Sequence, residues 1–387
     1  MPSAVLYTVV PVSWAKWIAW PLLIAAFAVT IYVVRIHQEM VDFEVYRQAA
    51  GRSMRAENLY RPEDGHYQYK YLPAFAFAMT PFALVEDRVA RLAWYALSFG
   101  LLCAFIRWSA HAVPERRLPA GVLMASAIIL VGRFYGRELN LGQTNILFGF
   151  TLMGALIAAE SGARRTSGAL VALGVFVKPY ALILLPWLWV VAGVEGVLTA
   201  AAVLVSGLLM PALAYGWSGN LAQIAGWYRT VTDTSAPNLL AKENISFATG
   251  WAKWIGVGPL AARLALATSA AALLLAGLVM TRRRAVREPA ALEFGLLMLL
   301  IPLLSPQGWD YVLLIATPAV MLLVDRTREM GVIWRVTTAV ALVAIGFTII
   351  DLLGKPAYNW TMQISLLTIC ATLLAASLAH LRWRNLA

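Results

Sequence analysis

The sequence predicts an all-α, polytopic integral membrane protein with about 12 transmembrane helices, and three observations predict it. Hydrophobic residues make up 61% of the 387 residues and charged residues only 13%, about half the charged share of an ordinary soluble domain. Several apolar runs reach the roughly 20 residues that a spanning helix needs. None shows the alternation of a membrane-barrel strand. The net charge of +11 would suggest nucleic acid in a soluble protein. Here the arginines stand in short clusters between apolar runs, the positive-inside pattern, so no nucleic-acid partner is expected. Cys103 and Cys370 lie inside apolar runs, which indicates neither a disulfide framework nor a thiolate metal site.

The first span covers residues 17–36. Lys16 and the Ala26-Phe27-Ala28 triplet mimic a secretory signal with its cleavage site, but the run is too long for one. A polar first outer loop follows over residues 37–88, rich in aromatic residues and carrying Asp42 and Glu44 just outside the hydrocarbon. Within it, residues 72–85 are apolar but short and broken by Pro81, which suits the membrane interface. A span at 89–109 leads to Arg107, Arg116 and Arg117, which mark a cytoplasmic end and place the Asp42 loop outside. Residues 118–132 return outward to a second polar island, GRFYGRELNLGQTN at 132–145. A span at 146–160 leads back to Arg164 and Arg165.

The run at 168–193 reads as a hairpin broken at Lys178-Pro179. A single crossing there would send the later arginine clusters, at 282–287, 326–335 and 382–384, to the outer side. Its first half gives about 15 Å of helix at 1.5 Å per residue, far short of a ~30 Å hydrocarbon core. Lys178 then sits at depth and must line a water-filled or protein-lined cavity, because a bare ammonium in lipid costs roughly 3 kcal/mol or more. A span at 197–213 precedes a second long outer loop, 214–257, whose Trp217, Trp227, Tyr228, Trp251 and Trp254 suit an interfacial belt. Further spans fall at 258–280, 289–304, 311–324, 334–350 and 361–380, giving both termini a cytoplasmic position. A third polar island, Ser-Pro-Gln-Gly-Trp-Asp at 305–310, separates two of them. Nothing divides the chain, so residues 1–387 read as one membrane-embedded domain.

The three islands and the Lys178 break converge on one side. They offer carboxylates in Asp42, Glu44 and Asp310, cations in Lys70, Arg133, Arg137 and Lys178, and amides in Gln143, Asn145 and Gln307. There is no Ser-His-Asp set, phosphate-binding glycine loop or metal-ligating histidine spacing, and no metal or cofactor is expected. A carboxylate base with cations suits attack by a hydroxyl on a carbon whose leaving group is a phosphate. The base is typically worth 10² to 10⁴ in rate, and the cations stabilise charge on the departing oxygen. Arg133 and Arg137 share a helix face and could clamp one phosphate.

Plainer roles compete at each position. Asp42 reads equally well as the cap of a helix starting at Phe43, Glu44 as a partner of Arg47, and Arg137 with Glu138 as a surface pair. Lys70 could snorkel and Asp310 could cap the following span. His66 reads as an exposed loop histidine, and Asn244-Ile245-Ser246 matches a glycosylation acceptor that is frequent by chance.

Asp42-Phe43 with Val45-Tyr46, Asn58-Leu59-Tyr60, and Tyr69-Lys70-Tyr71-Leu72-Pro73 together resemble the first-loop signature of glycosyltransferase family 87, in the C-type glycosyltransferase (GT-C) superfamily. Gly142-Gln143-Thr144-Asn145, Gly174 through Lys178-Pro179, and Leu304-Ser305-Pro306 with Trp309-Asp310 resemble it in the same order. The resemblance implies a GT-C fold and inverting transfer of a sugar, mannose in most members, from a polyprenyl-phosphate donor. The acceptor would be a glycolipid or lipid-linked glycan on the extracytoplasmic side of the plasma membrane. It assigns the general base to Asp42. Lys70, Arg133, Arg137 and Lys178 then become candidates for the donor phosphate, and Tyr46, Tyr69, Gln143, Asn145, Gln307, Trp309 and Asp310 for substrate contacts. In that family the tryptophan-acid pair is often followed by histidine, where Tyr311 stands here, and this leaves acceptor choice open. A carrier or flippase of a lipid-linked sugar is the rival reading. It would favour two related halves with matching broken helices, and only one break, at Lys178-Pro179, is found.

Overall fold

A computed structural model describes residues 14–281 and 289–384. The arginines at 282–287, expected to mark a cytoplasmic turn, lie outside the described residues. Every regular element described is a helix, apart from one isolated antiparallel bridge between Asn244 and Trp309.

The described residues open with α1 (Trp14–Val34) and enter the first polar loop, which is itself largely helical. Helix α2 (Val41–Met54) turns Phe43, Tyr46, Ala49, Ala50 and Ser53 inward, the spacing that puts one helical face into a core. The short α3 (Pro73–Ala78) and α4 (Thr80–Ala83) account for the 72–85 run and leave Leu84 exposed. Proline at the start of each fits a first turn whose N–H groups have no helical acceptor.

Helices α5 (Asp87–His111), α6 (Ala120–Leu141), α7 (Asn145–Glu160) and α8 (Arg164–Val177) follow with short turns. Lys178 stands between α8 and a tight helical turn over Pro179–Leu184, and α9 (Leu185–Leu209) continues with its backbone broken at Gly193. Helices α8 and α9 approach closely, since a Cβ on Gly168 would lie 2.0 Å from the Gly196 carbonyl oxygen. The expected outer loop 214–257 is mostly helical, as α10 (Ala212–Ser235) and α11 (Phe247–Ile255). Then come α12 (Pro259–Thr281), α13 (Pro289–Leu304), α14 (Thr317–Asp325), α15 (Val332–Phe347), α16 (Ile350–Gln363) and α17 (Leu366–Arg384).

Among the described residues, five helices are long and apolar enough to cross a membrane, and six if the pair α15 and α16, bent by 105°, counts as one. Three shorter apolar segments, Pro21–Val34, Asn145–Glu160 and Pro289–Leu304, fall below that length. The twelve expected crossings therefore include several runs that are apolar without being long helices. Residues 311–324 show why: a tight helical turn over Asp310–Ala316 is followed by a separate α14 of nine residues.

Burial separates two kinds of apolar helix. Helix α12 leaves Leu266, Leu274 and Leu278 exposed, as a lipid-facing helix does. Helix α13 is buried from Ala290 to Leu303, and the segment from Asp310 to Leu323 is buried with it, so these form the centre of the molecule. Arg382 was expected in a cytoplasmic charge cluster. It is buried on α17, where its Nη2 donates to Glu293 Oε1 of α13 at 2.7 Å.

Candidate active site

The first turn of α2 is clamped to the C-terminal end of α6. Met40 N donates to the Asn140 carbonyl at 2.9 Å, and Trp94 Nε1 donates to the Gly142 carbonyl at 2.9 Å. Gly142 ends α6 with φ 68°, and a Cβ there would lie 2.8 Å from Phe43 Cβ, so only glycine meets both the backbone and the space. Met40 is the N-cap of α2, with no side-chain cap bond, and Asp42 sits one residue inside the helix. The capping alternative for Asp42 is thereby removed.

Asp42 lies on the wall of a cavity of about 500 Å³. The same cavity is lined by Tyr46, Lys70, Arg137, Gln143 and Lys178, and on its far side by Gln307 and Trp309. Four stretches of chain far apart in sequence therefore meet here. A depression of about 660 Å³ on α12 is lined by Ala270, Leu273, Leu274, Gly277, Leu278 and Thr281, and offers no charge for chemistry.

Gln143 is the hub of the polar wall. Its Oε1 accepts from Tyr46 Oη at 3.0 Å and from Tyr71 Oη at 3.2 Å, and Thr144 Oγ1 donates to Tyr71 Oη at 3.2 Å. Two hydroxyl donors on the carbonyl leave the amide nitrogen to face Tyr311 Oη at 3.4 Å and to bond the Asp42 carboxylate. Burial pushes the Asp42 carboxyl above its ordinary value, opposed by the Gln143 bond and by the positive charges of Lys178, Lys70 and His66. Burial pushes the Lys70 ammonium down, and Asp42 opposes that shift. A carboxylate made more basic and facing two ammonium groups across a cavity suits a general base beside an anionic leaving group.

Behind the wall lies an acid that the sequence reading set aside. Glu138 is 1% exposed, near the end of α6. Its Oε2 accepts from Asn145 Nδ2 at 2.8 Å, and its Oε1 accepts from the backbone N–H groups of Asn145 and, at 3.1 Å, of Ile146. It caps α7, where a carboxylate is favoured by the helix dipole. It is not the surface partner of Arg137 that adjacency suggested.

The cavity lining does not include Arg133, expected at the donor phosphate, or Tyr69, Asn145 and Asp310, expected at the substrate, and each makes other contacts. Tyr69 is buried with its hydroxyl donating to the Leu72 carbonyl at 3.1 Å. Asn145 is committed to Glu138. Asp310 is buried between the two arginines, with Arg137 Nη1 at 3.0 Å and Arg133 Nη2 at 3.6 Å, and Arg133 also donates to the Thr348 carbonyl. The arginine pair thus clamps an internal carboxylate. Only Arg137 reaches the cavity, where its guanidinium lies 5.2 Å from the centre of the Tyr311 ring.

The roof comes from the chain between α10 and α11. Ile245 N donates to the Gly308 carbonyl at 2.7 Å and Asp310 N to the Glu243 carbonyl at 2.8 Å, which pins the third polar island in place. Gln307 Nε2 donates to Thr234 Oγ1 at 3.1 Å and Ser235 Oγ at 3.2 Å. Asn244 is 1% exposed and donates to the Asn238 and Pro306 carbonyls, so in the folded chain it is no glycosylation acceptor. His66 is exposed, as expected, and also lines the cavity. Glu44 accepts from Gln48 and pairs with Arg91 at 3.3 Å, and it does not line the cavity. Trp227 holds the Lys70 carbonyl at 3.2 Å, which draws one of the expected belt tryptophans into support of the site.

The family model described as glycosyltransferase family 87 matches residues 69–306, well over half of the chain. The chain belongs to glycosyltransferase family 87. The match takes in Lys70, Gln143 and Lys178, while Asp42 and Gln307 to Asp310 fall outside it and join the site through the fold. Neither the curated proteins nor the solved structures give a match. The protein is thus a glycosyltransferase with membrane-capable helices, and among its described residues no group of three His, Cys, Asp or Glu side chains could hold a metal ion.

An apolar groove of about 480 Å³ adjoins the polar cavity. It runs between the start of α9, α12 and the end of α13, and shares Pro179 and Tyr180 with the cavity.

Proposed function

We propose that this glycosyltransferase is an inverting enzyme that moves a sugar, mannose by the family resemblance, from a polyprenyl-phosphate donor to a glycolipid or lipid-linked glycan. In this reading it works in the plasma membrane, with the cavity open to the extracytoplasmic side. Asp42 removes the proton from the acceptor hydroxyl as that oxygen attacks the anomeric carbon. The bond from that carbon to the phosphate oxygen breaks, and polyprenyl phosphate leaves with one more negative charge. Lys178, Lys70 and Arg137 then stabilise that charge from the cavity wall.

The observation that carries the reading is the Asp42 environment. Its carboxylate accepts from Gln143 and faces Lys178 and Lys70 at the cavity wall, with no ion pair of its own among the described residues. Support for a lipid-linked donor comes from the apolar groove, which meets the cavity at Pro179 and Tyr180, next to Lys178. An isoprenoid chain in the groove would leave its phosphate at the cationic wall.

The test is transfer of radiolabelled mannose from polyprenyl-phosphate mannose by the purified protein in liposomes, with Asp42→Asn beside wild type. New glycosidic product made by wild type and lost in the variant is expected. Wild-type product formation undiminished in Asp42→Asn would remove the base assignment. Transbilayer movement of the donor with no glycosidic product would establish the carrier instead.

A further inference from the structure

Glu138 is a buried carboxylate that the proposed transfer step does not use, yet it stands behind two groups that the step does use. Both of its oxygens accept hydrogen bonds, from three N–H donors, an arrangement that favours the carboxylate form. Its backbone carbonyl accepts from Gln143 N at 3.1 Å, so the same residue fixes Gln143 through the main chain and α7 through the side chain. Its charge acts on Lys178, which also feels Asp42.

We propose that Glu138 is a positioning residue for the transfer reaction: it holds the Gln143 amide toward Asp42 and balances the charge of Lys178 behind the cavity wall. The inference rests on the reading of Asp42 as base. A carboxylate that only capped α7 would have the same three hydrogen bonds, and what separates the two is charge. The ionisable groups around Asp42 are Lys178 and Tyr180 at the α8–α9 break, Lys70, His66 and Tyr67 in the first loop, Tyr46 on α2, Tyr71, Tyr311 under the roof, Arg137 and Glu138 on α6, and Glu243. Removing the negative charge of Glu138 leaves the positive charge of Lys178 unopposed from behind. That loss of negative charge favours the ionised form of Asp42, so its proton is lost at lower pH.

The experiment measures the pH dependence of single-turnover sugar transfer in liposomes for wild type, Glu138→Gln, Glu138→Asp, Asn145→Ala and Asp42→Asn. Glu138→Gln is expected to move the acid limb down by about one pH unit and to slow transfer at neutral pH by about tenfold. Asn145→Ala removes a cap bond and leaves the charge, so its limb stays at the wild-type position. Glu138→Asp keeps the charge and shortens the arm, so it slows transfer by about fivefold with the limb unmoved. A Glu138→Gln limb that coincides with wild type, with only a loss of thermal stability, reduces Glu138 to a helix cap and overturns the proposal. If Glu138→Gln does not fold, an unchanged rate in Glu138→Asp overturns it equally. Asp42→Asn separates the two layers: full activity there sinks the base assignment and this inference together, while an inactive Asp42→Asn beside an unmoved Glu138→Gln limb sinks this inference alone.

Discussion

Asp42 and Asp310 are built from the same ingredients and arrive at opposite chemistry. Each is an aspartate from a polar island, held near two cations in an apolar molecule. Asp310 is 2% exposed and closed by guanidinium groups at 3.0 and 3.6 Å, so its charge is spent within the fold, joining α6 to the segment ahead of α14. Asp42 opens on a cavity, takes one side-chain hydrogen bond from Gln143, and faces its lysines at a distance. A charge with its counter-charge in contact stabilises structure. One whose counter-charges stand back leaves room for a substrate phosphate.

Substitutions can break that contrast, and the widest gap is expected first. Asp42→Asn should cut transfer by about 10² to 10⁴ with little change in thermal unfolding, measured by single turnover and by melting in detergent. Asp310→Ala should act mainly on folding, lowering stability by about 3 kcal/mol because it leaves Arg133 buried without its carboxylate. A large loss of rate in an Asp310→Ala protein that melts normally would blur the distinction. Gly142→Ala disturbs the clamp under Asp42 through both its left-handed backbone and the 2.8 Å approach to Phe43, at a cost of about 2 kcal/mol in stability. The smallest effect falls on Lys178→Met or Lys70→Met, each expected to weaken binding of polyprenyl-phosphate mannose by about tenfold, read by titration of the donor.

The contrast also marks what the sequence could reveal. Hydropathy showed the membrane class, and island chemistry showed the residues that meet at the cavity, because Asp42, Gln143, Lys178 and Gln307 each interrupt an apolar run. The expected depth of Lys178 rested on the short run ahead of Pro179, and the structure puts that residue at the break between α8 and α9, on the cavity wall. Partner choice was not legible. Arg133 and Arg137 at one-turn spacing suit a phosphate, and nothing local says that Asp310, far along the chain, fills the clamp. Glu138 looked like a surface charge beside Arg137, although an acid seven positions ahead of Asn145, across a glycine turn, is a signal for a capped helix. The described residues hold five or six long apolar helices where twelve spans were expected, and the gap has a related origin. Apolar composition marks burial, and α13 shows that burial inside the protein produces the same composition as burial in lipid.

The measurement that bears most directly on the central claim is the acid limb of single-turnover transfer in wild type, Lys178→Met and Asp310→Asn. Burial raises the Asp42 carboxyl above 3.8, so the rate should fall, with one proton, as pH drops through a midpoint above that value. Removing the Lys178 charge should move the midpoint higher still, because a cation that favours the ionised base has been lost. Asp310→Asn should leave it in place. A rate that stays flat through pH 4, or a midpoint that follows Asp310 and ignores Lys178, would contradict the account.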